Sequence, residues 1–242
     1  MKNPNNKVGS STLPFYVRIN LNCIIKMVKH PAVMGPHILE ACKTFLPFEG
    51  CRVLDPFAGL GTTAKLLPEY DVVGIEIEKE WAEQYKKTIC GDSLIVIPTL
   101  GEFDAILTSP TYGNRMADDF EASDKSKRIT YRHKLGKKLS EGTTSNLHYG
   151  RKNKKYEDLH TKIWKVCVDA LRGNGVFILN CKDFISSGTV MEVTQWHIDI
   201  LESYGLSVVE SIRVPSKGMR FGSNFQQRID YENVVCLQRL SI

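Results

Sequence analysis

The sequence lacks the patterns that mark several protein classes. It has no C-x-x-C pair and no clustered histidines, and its seven cysteines are scattered, so we expect reduced, mostly buried thiols and no metal site. No apolar run is long enough to span a bilayer, and no hydrophobic signal core follows the N-terminus. We therefore expect no membrane contact and no export, which places the protein in the cytoplasm.

Disorder and a fibrous architecture are also excluded by composition. Hydrophobic residues make up 42% of the chain and charged residues 24%, as in ordinary globular proteins. A length of 242 residues fits a single large α/β domain over 1–242. The net charge of +5 permits an anionic partner but does not demonstrate one, so the distribution of the charge has to decide.

Short apolar runs alternate with segments of helical length, which predicts a parallel sheet covered by helices on both faces. The predicted strands cover 52–57, 71–77, 103–109 and 176–181, and the predicted helices cover 62–70, 78–87, 156–172 and 190–204. Gly173 and Gly175 are interpreted as stop signals of the third helix. Two further strands, 207–214 and 233–238, suit an antiparallel closing pair.

The run DPFAGLGTT at 55–63 stands where a strand turns into a helix. Gly59 and Gly61 allow backbone angles that a side chain forbids, and they let a ligand approach the main chain. About 20 residues further on, Glu76 ends the next strand, at the spacing of an acid that accepts ribose hydroxyl hydrogens. Asp92, before Ser93, could accept a hydrogen bond from an adenine amino group.

The run Ser109-Pro110-Thr111-Tyr112 follows the strand that ends near position 109, so it should face the glycine turn. The pattern D-P-F-x-G-x-G-T, then an acid, then S-P-x-Y resembles the amino-methyltransferases of DNA and RNA, whose catalytic tetrapeptide usually reads D/N/S-P-P-Y/F/W. Thr111 departs from this pattern by replacing the second proline. The sequence looks closest to small stand-alone phage or prokaryotic DNA methyltransferases.

This resemblance implies a Rossmann-like seven-stranded sheet with an antiparallel last strand, and S-adenosylmethionine as cofactor. It also implies a cofactor-contacting motif at 30–32, before the first strand. The residues assigned to the cofactor are His30, Asp55, Phe57, Gly59, Gly61, Thr62, Glu76, Ile77, Asp92 and Ser93.

The catalytic residues implied are Ser109, Pro110 and Tyr112. If the Ser109 hydroxyl and the Pro110 carbonyl accept the two hydrogens of an exocyclic amine, its nitrogen lone pair is freed to attack a sulfonium methyl group. Tyr112 would stack on the base. Carbon methylation needs a cysteine nucleophile, typically in a Pro-Cys pair, which this chain lacks. Glu232 and Asn233 are therefore interpreted as the start of a strand.

A basic insertion is predicted at about 113–156, beside the catalytic loop. Eleven Lys or Arg residues lie between 125 and 155 against one acid, with tyrosines and histidines interleaved. Such a mixture suits phosphate contacts and base stacking, although charge runs are also typical of solvated faces. A second basic loop covers 215–230. The predicted nucleic-acid contacts are Arg115, Lys125, Lys127, Arg128, Arg132, Lys152, Lys154, Lys155, Lys217 and Arg220.

DNA is the favoured partner, and RNA is the alternative, for example through guanine N2 in tRNA. RNA enzymes of this chemistry often carry a separate binding domain, and only about 50 residues precede the first strand. A third hypothesis is an inactive nucleic-acid binder that keeps the fold, which the intact glycine turn argues against. A small-molecule methyltransferase would explain the glycine turn but not the Ser-Pro-x-Tyr loop.

Overall fold

The computed structural model describes residues 30, 32–113, 139–140, 142–144, 147–216 and 227–239. The strands are β1 (Arg52–Asp55), β2 (Asp71–Glu76), β3 (Thr88–Cys90), β4 (Phe103–Thr108), β5 (Leu171–Cys181), β6 (Phe184–Ser186), β7 (Thr189–Met191), β8 (Leu206–Pro215) and β9 (Tyr231–Arg239). The helices are α1 (Pro36–Lys43), α2 (Thr62–Leu66), α3 (Lys79–Ala82), α4 (Ser93–Val96), α5 (Lys155–Asp169) and α6 (Val193–Ser203), and a 3₁₀ turn covers Ile97–Thr99. No helix within those ranges is both long and apolar enough to cross a membrane.

The described residues form a seven-stranded sheet in the order β3-β2-β1-β4-β5-β9-β8. The first five strands in this order are parallel, and β9 runs antiparallel to both β5 and β8. The predicted Rossmann-like sheet with an antiparallel last strand is therefore confirmed. Because the chain turns outward in opposite directions from β1 and from β4, a crevice opens between their carboxyl ends, where ligands bind in such sheets.

Alternate residues of the central strands feed two hydrophobic cores, one on each face of the sheet. Leu54 and Phe177 pack with residues of α5 and α6 on one face. Val53 and Ile178, their neighbours in sequence, pack with α1 and α2 on the other face. This two-sided burial explains why the strands appear in the sequence as continuous apolar runs. Five of the six described cysteines are buried and all six are unbonded, as the sequence predicts.

Two of the predicted helices are shorter than expected. The helix predicted over 62–70 ends at Leu66, because Pro68 disfavours helical angles at Leu67, which has φ −119° and ψ 59°. The helix predicted over 78–87 is only α3. The chain turns at Tyr85, whose carbonyl accepts the Thr88 N–H as β3 begins.

The interpretation of Gly173 and Gly175 as helix stops is wrong. Helix α5 ends at Asp169, with Ala170 as its C-cap, and both glycines lie inside β5. A side chain at Gly175 would place its Cβ 2.7 Å from Leu171 Cδ1 and 2.9 Å from the Asp104 carbonyl oxygen. This glycine therefore allows β4 to approach β5 beside an irregularity in their register.

We predict that Gly175→Ala lowers the free energy of unfolding by about 1 to 3 kcal/mol, because the added methyl group must displace backbone as well as the Leu171 side chain. Gly173→Ala is the matched control, since a Cβ at Gly173 meets nothing within 4 Å in the same strand. Urea denaturation measures both variants. Equal stability of the two would contradict the close approach at Gly175.

Candidate active site

A cavity of about 560 Å³ opens at the carboxyl edge of the sheet, in the size range of small-molecule sites. Its walls come from the ends of β1, β2 and β4, from the segment after β5 and from the start of β9. The residues predicted to bind the cofactor or act in catalysis all line it except Gly61. The sheet thus brings together residues that lie up to about eighty positions apart in the sequence.

The glycine turn has the backbone conformation that its sequence predicts. Gly59 and Gly61 have φ values of +53° and +71°, in the left-handed region that favours glycine. A Cβ at Gly61 would lie 2.7 Å from the Tyr85 Cβ, so this glycine serves packing inside the fold. Gly59 faces the cavity, where a Cβ would lie 3.2 Å from His30 Nε2.

Glu76 fixes this turn from the end of β2. Its Oε2 accepts the Gly59 N–H at 2.9 Å, and its Oε1 accepts the Glu78 N–H at 2.8 Å. Burial raises the pKa of Glu76 to about 7, against the lowering effect of these two hydrogen bonds. Each carboxylate oxygen has a second lone pair for a ligand hydroxyl.

Asp55 and Ser93 connect the glycine turn to its neighbours. Asp55 Oδ2 accepts the Thr63 hydroxyl at 2.6 Å, and burial raises the pKa of Asp55 to about 6. The Ser93 hydroxyl donates to the Pro56 carbonyl at 2.7 Å. Asp92 caps α4 by accepting the Leu94 N–H at 2.9 Å, and it lines the same cavity.

His30 closes the cavity from the segment before β1. Its ring packs edge-on against Trp81 at a centroid distance of 4.2 Å, and its Nδ1 accepts the Ala32 N–H at 3.2 Å. Burial lowers the pKa of His30 to about 4, so the imidazole is neutral at physiological pH. No three His, Cys, Asp or Glu side chains in the described part of the chain are grouped as a metal site would require.

The opposite end of the cavity holds the Ser-Pro-Thr-Tyr loop and a carboxylate from β9. Ser109 Oγ lies 3.2 Å from the Tyr112 hydroxyl oxygen, and that hydroxyl donates to Glu232 Oε2 at 3.0 Å. Asn180 Nδ2 lies 2.9 Å from the same Glu232 oxygen and 3.2 Å from Ser109 Oγ. Ser216 Oγ donates to Glu232 Oε1 at 2.7 Å.

Thr111, the third residue of the Ser-Pro-Thr-Tyr loop, is held by hydrogen bonds at its side chain and at its carbonyl. Its hydroxyl donates to the Thr144 carbonyl at 3.0 Å, and its own carbonyl accepts the Tyr156 hydroxyl at 2.5 Å. Tyr156 is fully buried at the start of α5. The loop is therefore attached to the helical layer behind it.

The hydrogen-bond directions behind Tyr156 follow from Trp164, whose indole N–H can only donate. It donates to His197 Nδ1 at 2.9 Å, which leaves the imidazole hydrogen on Nε2. His197 Nε2 then donates to the Tyr156 oxygen at 3.0 Å, and the Tyr156 hydrogen is free to bind the Thr111 carbonyl. Burial lowers the pKa of His197 well below its usual value, which keeps this ring neutral.

Sequence reasoning missed Asn180, Glu232 and Ser216 as members of the site. The available signal was the direction of β9: an antiparallel strand begins at the edge where its parallel neighbours end. Its register pairs Asn233 with Cys181 at the end of β5, so Glu232 lies at that edge. Asn180, a polar residue closing an apolar strand, gave a second signal.

Most of the predicted nucleic-acid contacts lie outside the described residues. Lys152, Lys154 and Lys155 are described, and all three are exposed at the start of α5. Their contact with nucleic acid stays a prediction. The positions outside the described ranges are Arg115, Lys125, Lys127, Arg128, Arg132, Lys217 and Arg220.

The fold is similar to that of several solved methyltransferases. TrmN from Thermus thermophilus is 16% identical with a TM-score of 0.52, over 87% of this chain and 50% of that one, so this chain spans half of its length. A methyltransferase from Pyrococcus furiosus is 17% identical with a TM-score of 0.52, over 87% of each chain. The precorrin-6y C5,15-methyltransferase of Geobacter metallireducens is 9% identical with a TM-score of 0.51, over 88% of this chain and 92% of that one.

No family model matches the sequence, and no curated protein matches it either. At these identities the structural likeness establishes the fold. The chain therefore has a Rossmann-like methyltransferase fold, with its cavity at the carboxyl edge of the sheet.

We predict that the contribution of Glu76 to the stability of the ligand-free protein falls as the pH rises from about 4.5 to about 7, whereas the buried His30 and His197, whose pKa values are lowered, act in the opposite direction. The pKa of Glu76 is raised in the folded state to about 7, so the folded state binds more protons than the unfolded state in this window. Glu76→Gln should remove a contribution on the order of 3 kcal/mol between the ends of the window. Denaturation at a series of pH values measures it, with exposed Glu202→Gln as the control. A wild-type slope in Glu76→Gln would contradict the prediction.

Proposed function

We propose that this protein is an S-adenosylmethionine-dependent methyltransferase that methylates an exocyclic amino group of a DNA base, either N4 of cytosine or N6 of adenine. The observation that supports this best is one cavity lined by both the glycine turn and the Ser-Pro-Thr-Tyr loop. A donor and an acceptor of a methyl group would therefore meet inside a single enclosure.

The first half of the cavity fits an adenosine-bearing cofactor. Gly59 leaves space beside His30 that a Cβ would fill, so a ligand can approach the main chain there. Glu76 offers carboxylate oxygens to ribose hydroxyls, and the half-exposed Ile77 offers an apolar surface to a purine ring. When bound, the cofactor supplies an activated methyl group to this site.

The second half of the cavity fits an amino group. Ser109 Oγ and the main chain of Pro110 lie at the end of β4, at the rim of the crevice between β1 and β4. Accepting the amine hydrogens there would draw the nitrogen toward tetrahedral geometry and expose its lone pair. The Tyr112 ring lines the same wall and is available to stack on the base, which offsets part of the cost of extruding it from a duplex.

DNA is proposed as the polymer because the basic insertion follows this loop directly. Its described end carries the exposed Lys152, Lys154 and Lys155. These lysines lie at the start of α5, the helix whose Leu159 and Ile163 line the cavity, and their charge suits the phosphates on either side of an extruded nucleotide.

The function is tested by incubating the protein with DNA or RNA and S-adenosylmethionine carrying a labelled methyl group, followed by mass spectrometry of the nucleosides. Label in N4-methylcytosine or N6-methyladenine from DNA is the expected result. Label in RNA alone would replace DNA by RNA as the substrate. Label on a ring carbon, or in neither polymer, would contradict the proposal.

We predict that Ser109→Ala lowers the single-turnover rate by about 10²-fold or more, because the variant has no hydroxyl to accept the amine hydrogen. Cofactor affinity, measured by calorimetry, should stay at the wild-type value, since Ser109 lies at the opposite end of the cavity from Glu76. Ser211→Ala, an exposed serine on β8, is the matched control. An undiminished rate with cofactor bound would remove Ser109 from the mechanism.

We predict that replacing Lys152, Lys154 and Lys155 together with Gln weakens DNA binding and flattens its salt dependence. The slope of log K against log salt should decrease by about 0.9 for each phosphate that these lysines neutralise. The control replaces Lys79, Lys86 and Lys87 with Gln, which removes the same charge from exposed positions near α3. Fluorescence anisotropy at several salt concentrations measures both. Equal slopes in the two triple variants would contradict a specific interaction.

A further inference from the structure

Hydrogen bonds through Tyr112 and Asn180 connect Ser109 to a carboxylate that the proposed function does not use. Glu232 accepts hydrogen bonds at both oxygens, from Tyr112 and Asn180 at Oε2 and from Ser216 at Oε1. Tyr112 in turn lies 3.2 Å from Ser109 Oγ. Ser109, Tyr112 and Glu232 all line the cavity.

The directions of these hydrogen bonds follow from counting donors. An ionised carboxylate only accepts, so the single Tyr112 hydrogen has to be donated to Glu232. The contact between Ser109 and Tyr112 then needs the Ser109 hydrogen, because the hydrogen of Tyr112 is already used. Ser109 is left with its lone pairs for other partners. The Asn180 amide can donate to one lone pair, since its Nδ2 lies 3.2 Å from Ser109 Oγ. The second lone pair is available to accept a hydrogen bond from a ligand.

We propose that Glu232 directs this hydroxyl chain, so that Ser109 presents a hydrogen-bond acceptor to the substrate amine, and that Glu232 finally receives the proton which the amine loses. This inference rests on the proposed amino-methyltransferase function and assigns a role to a residue outside the Ser-Pro-Thr-Tyr loop. Glu232 acts through Tyr112 and Ser109.

The proposed step balances in atoms and charge. The amine lone pair forms the N–C bond as the sulfonium S–C bond breaks, with the electrons of that bond left on sulfur. The nitrogen then releases a proton to Ser109 Oγ, and the N–H electron pair returns to nitrogen. The Ser109 hydrogen moves to the Tyr112 oxygen as the Tyr112 hydrogen moves to Glu232 Oε2. Glu232 ends protonated and returns the proton to solvent through the cavity.

The environment of Tyr112 suits such a concerted transfer. Burial, with the nearby Glu232 adding to it, raises the pKa of Tyr112 well above 10, so a free phenolate does not form at physiological pH. Tyr112 therefore gives up its hydrogen only as it receives another. The five other carboxylates that line the cavity accept hydrogen bonds from other parts of the fold. Their donors are the Thr63 hydroxyl for Asp55 and main-chain N–H groups for Glu76, Glu78, Asp92 and Asp183.

The orientation of the chain is tested by binding, without turnover. Four nucleotides serve as probes, dCMP against dUMP and dAMP against dIMP, because each pair differs by an amine in place of a carbonyl oxygen. Saturation-transfer NMR on the protein with S-adenosylhomocysteine measures their affinities. The wild type should bind one amine-bearing nucleotide about tenfold more tightly than its carbonyl partner. The amine can donate a hydrogen bond to Ser109 Oγ, whereas a carbonyl oxygen cannot.

Glu232→Met should reduce this preference toward unity. Without a carboxylate to accept it, the Tyr112 hydrogen can be donated to Ser109, which can then turn its own hydrogen toward the ligand. Glu232→Asp keeps the carboxylate and should retain a preference for the amine. Glu210→Gln, an exposed carboxylate on β8, is the control. An unchanged preference in Glu232→Met, or no preference in the wild type, would overturn the proposed orientation.

The proton acceptor is tested by single-turnover methylation of the acceptor found with the wild type. Glu232→Gln should be slower by about 10²-fold, the scale of one positioned acid–base group. Glu232→Ala should be slow and should regain rate when formate is added, since formate supplies a carboxylate in the vacated space. If Glu232→Gln were fully active in a system where the wild type methylates an amine, the proton transfer to Glu232 would be overturned, and the orientation of the hydroxyl chain would not. Absence of methylation by the wild type would instead overturn the proposed function.

Discussion

The antiparallel pairing of β9 with β5 is the constraint on which one half of the cavity depends, the half that holds Ser109, Tyr112 and Glu232 and is proposed to bind the methyl acceptor (the acceptor half). A parallel last strand would carry its first residues to the opposite edge of the sheet. Because β9 runs the other way, Glu232 lies beside Asn180 at the edge where Ser109 follows the last residue of β4. One hydrogen-bonded network then joins residues of β5, of β9 and of the loop after β4, although they are separated by up to about 120 positions in the sequence.

The two halves of the cavity use their carboxylates in different ways. Glu76 and Asp55 are buried, have raised pKa values and hold the main chain or hydroxyls of the glycine turn. These two carboxylates therefore stabilise the turn and can also accept hydrogen bonds from a ligand. Glu232 instead receives hydrogens from three side chains. Its charge determines which way the neighbouring hydroxyls point, and so it affects chemistry rather than backbone conformation.

Much of the fold, and of the half of the cavity that holds the glycine turn, could be predicted from the sequence, because these features depend on local patterns. Apolar runs predict the strands. Gly59 and Gly61 predict a turn with positive φ angles, which glycine adopts at lower cost than other residues. Local sequence determines helix ends less well, because Gly173 and Gly175 are compatible with a helix terminus as well as with a tightly packed strand. Tertiary packing decides between these, through the approach of Asp104 to Gly175.

The acceptor half was only partly predictable. The Ser-Pro-Thr-Tyr loop has a recognisable pattern, but Glu232 and Asn180 join it through strand register, which no local motif encodes. The support of Thr111 by Tyr156 and Thr144 was equally hidden, because it depends on where α5 packs behind the loop.

The attachment of Thr111 to Tyr156 also affects how the sequence can vary over evolutionary time. A proline ring at position 111 would carry its own rigidity, so the helices behind it could exchange side chains freely. Here the rigidity is supplied by Tyr156, His197 and Trp164, which donate and accept in a fixed order. A change at any of the three disturbs the loop as well as the interior, so these core positions should tolerate fewer substitutions than their apolar neighbours do. A chain with proline at position 111 would not depend on these three side chains in the same way.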